Sequence, residues 1–322
     1  MVSKSSKLLK SGRDYPGTWN QYIEWFRDEA SCLLYLEKLR WPDGFICPRC
    51  ECIGDPYRLS RGRIMCRLCR HQCTVTAGTI FEKTRTPISC WFAAVWYIVN
   101  QKNGVSALGL QKTLGLGSYE TAWAMLHRLR RAMVNPKRER LSGVVEVDET
   151  YVGGRDQGKI RAPNPNSKKS IVVIAVELIE PKGFGRIRLR RIADASEESI
   201  LPFICETIET GSLIKTDGSP AYRSVQKHGY ARNKLVQLGS EDPAHVTLPG
   251  VHRVASLLKR WLLGTHQGSV KSKHIDYYLD EYTFRFNRRT SRSRGLLFYR
   301  LLEQAVITQP VTYKEITTNH NM

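Results

Sequence analysis

Two cysteine pairs, Cys47-Pro48-Arg49-Cys50 and Cys66-Arg67-Leu68-Cys69, are separated by fifteen residues. Each CxxC turn aims two sulfurs at one point. A hairpin between the pairs would bring all four to the corners of a tetrahedron, the geometry Zn²⁺ takes in closed structural sites. Cys52 and Cys73 lie beside the pairs but complete no four-ligand set, so they are read as bystanders. A module this small cannot bury a core of its own, and the metal would hold it folded. Arg49, Arg58, Arg61, Arg63, Arg67, Arg70 and His71 crowd the same stretch. Such basic density on a small module suits contact with phosphates, a merely solvated surface being the alternative.

Two acids occupy a second kind of position. Asp148 closes the β-rich run Val144 to Val147, and Asp217 closes Leu213 to Thr216 just before Gly218-Ser219-Pro220. A carboxylate where an apolar strand gives way to a turn projects from the sheet edge on a rigid backbone. Two such acids from adjacent strands can share Mg²⁺, an oxygen-seeking ion that keeps several waters. Paired ions clamp the attacking and leaving oxygens of a phosphoryl displacement. A strand-end Asp also serves as an ordinary turn residue, so the pair is suggestive only. No Ser-His-Asp or Cys-His arrangement has support, and Cys205 sits among Ile200, Leu201, Phe203 and Ile204 as core. No GxxxxGK[ST] string occurs, which argues against an ATP-driven mechanism.

Several elements must position these groups. Apolar residues recur at helical spacing over 18–41, which ends at the turn Trp41-Pro42-Asp43-Gly44. The Cys-rich stretch 45–80 suggests small hairpins. Over 87–134 the pattern is helical, with Ser89, Ser106 and Ser118 as candidate caps. Val105–Leu114, Gly115-Leu116-Gly117 and Ser118–Met133 fit a helix-turn-helix. Its second helix carries Arg128, Arg130 and Arg131 toward its end, candidates for DNA contact. An ordinary helical hairpin with solvated arginines is the competing reading. After Pro136 come three β-rich runs, a helix over 195–209, another short strand, and helices from Val251 onward, which is an α/β domain. The polar loop 153–169 is expected to be mobile, and the tail beyond Thr308 shows little pattern.

Bulk composition agrees with these assignments. Lys and Arg number 50 against 30 Asp and Glu, a net charge of +20 over 322 residues. A field of that sign draws a chain toward a polyanion, DNA or RNA first. No uncharged apolar run is long enough to span a membrane, and the basic N-terminus lacks the apolar stretch of a secretory signal. A cytoplasmic, bacterial-type location follows by default. Of nine cysteines, seven fall between Cys32 and Cys73, a clustering that argues for metal binding over disulfides. Arg285, Arg288, Arg289, Arg292 and Arg294 interleave with Phe284 and Phe286. They form a candidate track for a nucleic-acid backbone, with a solvated helix end as the alternative.

The chain resembles the bacterial insertion-sequence transposases that join a zinc ribbon to a DDE-type core, the ISXO-two-like group. The carriers are the Cys47/Cys50/Cys66/Cys69 ribbon, the string Val147-Asp-Glu-Thr-Tyr-Val-Gly-Gly154 and Thr216-Asp217-Gly218. Leu258-Lys-Arg-Trp-Leu-Leu-Gly-Thr-His266 and Tyr278-Leu-Asp-Glu-Tyr-Thr-Phe-Arg-Phe-Asn-Arg-Arg289 continue the match. It covers roughly residues 18–300. The resemblance implies an RNase H-like core and terminal-repeat binding by the N-terminal part. It also implies cleavage and strand transfer at an element's ends, with at least a homodimer when two DNA ends are paired. In such proteins the third acid opens a helix, seven residues before a basic residue. Counting back from Lys259 lands on His252, which lies 35 positions after Asp217. A neutral imidazole can ligate a divalent ion, and Mn²⁺ tolerates nitrogen better than Mg²⁺ does. Asp148, Asp217 and His252 are therefore the candidate catalytic and metal-holding set, with Lys259 and Arg260 facing DNA. Glu241, Asp242 and Glu281 remain rivals for the third position, although Glu281 is spaced to pair with Arg285. The expected organisation is a ribbon with its preceding helix (18–80), a helix-turn-helix-like segment (87–135), an RNase H-like catalytic domain (141–300) and a tail (301–322).

Overall fold

The structure is a computed structural model that describes residues 8–59, 62–153, 169–179, 181, 183–235, 247–268 and 270–318. Residues 154–168 of the polar loop, Arg61, and the rival acids Glu241 and Asp242 lie outside the described residues. In chain order the first elements are α1 (Trp19–Trp25), α2 (Glu29–Arg40), β1 (Tyr57–Arg58), β2 (Arg63–Met65), β3 (Gln72–Thr74), α3 (Ile88–Asn100), α4 (Ala107–Leu114) and α5 (Tyr119–Ala132). They are followed by β4 (Val144–Val152), β5 (Ser170–Leu178), β6 (Phe184–Ile192), α6 (Glu197–Thr207), β7 (Leu213–Thr216), a 3-10 segment (Pro220–His228) and β8 (Ala231–Lys234). The last are α7 (Pro249–His266), a short 3-10 turn (Ser272–His274), α8 (Ile275–Asn287), α9 (Arg294–Ala305) and α10 (Tyr313–Thr318). No helix among the described residues is long and apolar enough to cross a membrane.

The chain forms two compact units, Met1–Asn135 with Ser291–Asn319, and Pro136–Thr290. In the first unit the helical stretch 18–41 is two helices, not one. Asp28 breaks it, because its carboxylate accepts from the Ser31 N–H at 2.8 Å while the Ser31 hydroxyl accepts from the Asp28 N–H. That reciprocal box fixes a new helix start. α4 and α5 form the expected helix-turn-helix. Ser106 and Ser118 cap them, and Gly115 closes α4 in the left-handed region at φ 62°, where a glycine carries no steric penalty.

Two expectations fail here for one reason, which is packing from a distance. Ser89 does not cap α3. The helix starts at Ile88 after Pro87 with no side-chain cap, and Glu29 of α2 accepts from the Ile88 and Ser89 N–H groups at 2.7 and 2.8 Å. Residues 291–318 form no separate tail and do not extend the α/β unit. α9 returns to the first unit and puts Phe298 against Phe92 and Trp96, ring centroids 5.7 and 5.5 Å apart. The patternless end also contains α10, whose Tyr313 lies edge-on to Trp123 at 6.2 Å.

In the second unit, β4, β5 and β6 form an antiparallel meander, and β7 and β8 add parallel to β4, giving the order β6-β5-β4-β7-β8. Read by appearance within this unit the order is 3-2-1-4-5, three antiparallel strands then two parallel, the RNase H-like arrangement. β8 and the 3-10 segment were not foreseen from sequence. Side chains alternate across the sheet. Val145, Val147, Val173, Ala175 and Ile214 face α6 and the 3-10 segment. Val152, Val172, Ile174, Val176 and Ile187 face α7 and α8. β5 is apolar on both faces because helices cover both.

The Glu29 bridge yields a stability prediction. Glu29→Ala strands two part-buried N–H groups at the start of α3, at a cost of about 1–3 kcal/mol. Glu29→Gln keeps an acceptor and should cost less. Urea denaturation of the two variants checks the ranking, and equal, near-zero shifts would show the bridge to be idle.

Candidate active site

The two CxxC turns are built alike. The Glu51 N–H donates to the Cys47 carbonyl at 2.9 Å and the Arg70 N–H to that of Cys66 at 3.1 Å. Glu51 and Arg70, each one residue past its second cysteine, adopt left-handed backbone at φ 57° and 58°. Two matched knuckles thus face each other across the β1–β2–β3 ribbon. Cys47 and Cys69 Sγ atoms are 3.5 Å apart and those of Cys50 and Cys66 3.7 Å. All four sulfurs lie within 4.8 Å of one another. Metal–sulfur bonds of about 2.3 Å in a tetrahedron would set sulfurs about 3.8 Å apart, so the residues fit a closed four-thiolate ion. Burial raises the Cys47 thiol, but backbone N–H bonds from Cys50 and Arg49 outweigh it and bring it down to about 6. Cys52 stays outside the group with its Sγ on the Ile53 carbonyl, and Cys73 stands on β3.

The paired acids meet through strand register. β4 and β7 run parallel with Val145 opposite Ile214 and Glu146 opposite Lys215. Continuing by two residues sets Asp148 and Asp217 level, on the sheet face toward α7. Asp148 also accepts from the Glu149 N–H at 2.8 Å. Burial pushes its carboxyl up, the Glu149 N–H opposes that, Asp217 adds to the rise and His252 offsets part of it. Asp217 is held in a tight turn, its Oδ1 accepting from the Ser219 N–H at 2.9 Å. Arg232 on β8 clamps that turn, donating to the Thr216 hydroxyl and to the carbonyls of Asp217 and Ser219.

His252 occupies the first turn of α7 and is half-buried. Its Nε2 is shielded from solvent and has no hydrogen-bond partner among the described residues. Two carboxylates and an unpartnered imidazole nitrogen fit a divalent cation that accepts oxygen and nitrogen. Among the described residues, only the four cysteines bring three or more such ligand atoms within 4.8 Å of one another. The Asp148, Asp217 and His252 groups are spaced more openly.

Sequence reasoning passed over two further acids on β4. Glu149 points to the opposite sheet face, where it accepts a hydrogen bond from the Tyr222 hydroxyl. Burial pushes it up to about 7, against the pull of that bond, with Asp148 and Asp217 adding to the rise. Glu146 is 1% exposed and accepts from the Val251 N–H at 3.0 Å. The signal was present in Val144-Val-Glu-Val-Asp148, where a charge at an interior position of an apolar run shares the Asp148 face.

Of the predicted DNA-contacting residues, Lys259 and Arg260 are exposed on α7. Partial burial lowers the Lys259 ammonium, and nearby Lys169 lowers it further. The others need correction. Arg130 is 1% exposed and offers no charge to a DNA surface. Arg128 is half-buried and donates to the Val311 carbonyl at 3.1 Å, and Arg131 is half-buried. Arg285 pairs with Glu281 at 2.8 Å, with only 14% and 2% of the two side chains exposed, which also removes Glu281 as a rival third acid. Arg288 stacks on Phe284 at 4.2 Å and Arg289 on Phe286 at 4.1 Å, and Arg289 donates to the carbonyls of Phe184, Gly185 and Phe286. The arginine-rich end of α8 therefore holds the helix to β6. For Arg128, Arg288 and Arg289 the physical reason is that a guanidinium on a long apolar stem can satisfy backbone carbonyls or a ring face, although Arg289 remains exposed. Of the ribbon arginines, Arg58 is bound to Glu37 and Arg67 to Asp55. Arg67 and Arg70 both lie over Tyr57, at 4.8 and 5.3 Å. At the start of α5 the exposed residues are Tyr119, Glu120 and Thr121.

Comparison with known proteins agrees with this layout. Residues 140–287 match the ISXO2-like transposase domain, and residues 27–72 match the transposase zinc-ribbon domain. An uncharacterized protein in transposable element ISH50 of Halobacterium salinarum is 25% identical over 291 residues, 85% of this chain and 95% of that protein. Among solved structures, the catalytic core domain of BIV integrase aligns at 17% identity over 44% of this chain and 81% of its own, with a TM-score of 0.29. A pre-cleavage Mos1 transpososome aligns at 10% identity over 67% and 75%, with a TM-score of 0.28. The chain thus carries, in order, a transposase zinc-ribbon domain and an ISXO2-like transposase domain.

Proposed function

We propose that this transposase binds the terminal inverted repeats of an insertion sequence and catalyses metal-dependent DNA strand cleavage and strand transfer. One observation carries the reading. Asp148, in the middle of β4, lies level with Asp217, just past the end of the parallel neighbour β7, and His252 on α7 has a shielded Nε2 with no hydrogen-bond partner among the described residues while its charge is felt by Asp148. Asp148, Asp217 and His252 would hold Mg²⁺ or Mn²⁺. Bound there, the ions neutralise charge developing on the phosphoryl oxygens of an in-line displacement. Lys259 and Arg260, exposed on α7, hold the DNA backbone. Asp148 and Asp217 orient the attacking water. Its oxygen forms the new bond to phosphorus as the bond to the 3′-oxygen breaks, and the freed 3′-hydroxyl then attacks a target phosphodiester. No covalent enzyme intermediate is needed. Pairing two element ends calls for at least a dimer during the reaction, and the cytoplasm supplies both DNA and a reducing setting for the thiols.

The four-thiolate group would hold a structural Zn²⁺. The exposed arginines of the ribbon and the start of α5 would contact the terminal repeats, since helix-turn-helix proteins read base edges with the first residues of the second helix. Arg128, Arg130 and Arg131, at the far end of α5, support its packing instead.

Asp148→Asn and Asp217→Asn should each lower cleavage of terminal-repeat DNA by more than about 100-fold, since even the groups behind metal ligands cost about 10–100-fold. DNA binding by a mobility assay should persist. His252→Ala should also lose cutting, whereas His252→Glu should cut and shift the preference from Mn²⁺ toward Mg²⁺. A wild-type protein that binds the repeats but cuts in neither metal would leave a DNA-binding relic in place of an enzyme. For the ribbon, one equivalent of zinc per chain should be released by a thiol-modifying reagent, and Cys66→Ser should lose that zinc and weaken repeat binding. Retained zinc in Cys66→Ser would discard the ligand set.

A further inference from the structure

Glu146 is a buried carboxylate that the reaction proposed above does not use. It lies at the first turn of α7, where a helix leaves its leading N–H groups without intrahelical partners. α7 has no side-chain cap of its own, since its N-cap is Leu248. Pro249 at the first helical position has no N–H to satisfy. The Val251 N–H donates to Glu146 Oε2 at 3.0 Å, and the Gly250 N–H also bonds the carboxylate. The His252 N–H reaches the Leu248 carbonyl at 3.2 Å. Among the described residues, the outside group that accepts from this first turn is one acid on the sheet.

The approach is so close that any side chain at 250 would force the acid or the helix to shift. A Cβ there would stand 2.8 Å from Glu146 Oε2 and 3.3 Å from the Phe184 ring. Glu146 and Asp148 share one face of β4, two residues apart, and Val251 and His252 are consecutive on α7. Anchoring Val251 at Glu146 therefore brings His252 to Asp148, whose carboxyl feels the imidazole.

We propose that Glu146 is a positioning residue that docks the first turn of α7 onto β4 and so holds the His252 imidazole beside Asp148. Its meaning for catalysis rests on the reading of Asp148 and His252 as metal-holding groups, but the docking itself does not. A hydrogen-bonded acid in this place acts through helix placement and never touches DNA or the reacting atoms.

The test uses the full chain with its ribbon metal and no added divalent ion. Glu146→Ala, Glu146→Gln and Gly250→Ala are compared with wild type by amide hydrogen exchange and by the NMR resonances of the His252 imidazole. Glu146→Ala should speed exchange at Gly250 and Val251 by about tenfold or more while leaving α8 unchanged, as expected of a local opening. The His252 resonances should move. Glu146→Gln, which keeps one acceptor oxygen, should move them less. Gly250→Ala, which leaves the acid intact but pushes the helix off it, should reproduce the shift. If Glu146→Ala fails to fold, the other two variants carry the test. His252 resonances and Val251 exchange that match wild type in both Glu146→Gln and Gly250→Ala overturn the proposal. A separate titration with Mn²⁺ alone, followed by its electron spin resonance signal, judges the metal reading. Binding that is insensitive to Asp148→Asn and His252→Ala sinks that reading, while the imidazole resonances still decide the role of Glu146. If metal binds, Glu146→Ala should weaken it as far as His252→Ala does, and the double variant should be no weaker than His252→Ala. Wild-type affinity in Glu146→Ala, with His252→Ala weakened, overturns the positioning role.

Discussion

Strand β4 carries three carboxylates into places with little water, and the second unit is arranged around giving each of them a partner. Removing a carboxylate from water is costly unless hydrogen bonds or opposite charge replace the lost hydration. Glu146 finds the open N-terminus of α7, and Glu149 finds the Tyr222 hydroxyl on the other face. Asp148 has only the neighbouring Glu149 N–H and the field of His252 to set against burial and Asp217. Unlike the other two, it accepts no hydrogen bond from another element among the described residues and feels a second acid, Asp217, level with it on the same sheet face, a setting in which a dry carboxylate attracts a cation. The same strand register that levels Asp148 with Asp217 concentrates negative charge near the middle of the sheet, on its α7 face.

Helix starts in this molecule divide into two kinds. α2, α4, α5 and α6 are capped by Asp28, Ser106, Ser118 and Ser196, each adjacent in sequence to the helix it begins. α3 and α7 begin next to a proline and are capped from far along the chain, by Glu29 and Glu146. A local cap stabilises a helix wherever that helix goes. A distant cap also fixes where the helix sits, because the N–H groups are satisfied only when the two elements meet. Each unit contains one such joint.

This division explains what the sequence reveals. The cysteine knuckles, the serine caps of α4 and α5, and Asp217 after β7 are local patterns, in which the chemistry and the residues that enforce it lie within a few positions, whereas Asp148, expected at a strand end, stands in the middle of β4 because its ladder with β5 runs on to Val152. The third site residue, His252, emerges only from spacing to Lys259 within a family resemblance. Glu146 and the Glu29 cap are invisible to such reading, since their partners lie 105 and 59 positions away. The arginines mislead for a related reason. Arg130 and Arg289 sit in sequence contexts that would suit a DNA-facing surface, and only tertiary packing buries Arg130 and brings Arg289 to the Phe184 and Gly185 carbonyls of β6, whereas the Arg285–Glu281 pair was legible in its i,i+4 spacing. Charge is written in the sequence, but the direction in which a long side chain points is not.

The return of α9 to the first unit means that the α/β unit is spliced into a helical host at two points, after Asn135 and before Ser291. The host is therefore discontinuous, and a fragment ending near residue 135 would keep the ribbon and both helices of the helix-turn-helix yet strip Phe298 from Phe92 and Trp96. Its aromatic interior would be left open to solvent and prone to self-association. The aromatic interior of the host can close only once Phe298 has been made, so the interior unit can reach its native state before its own host is complete.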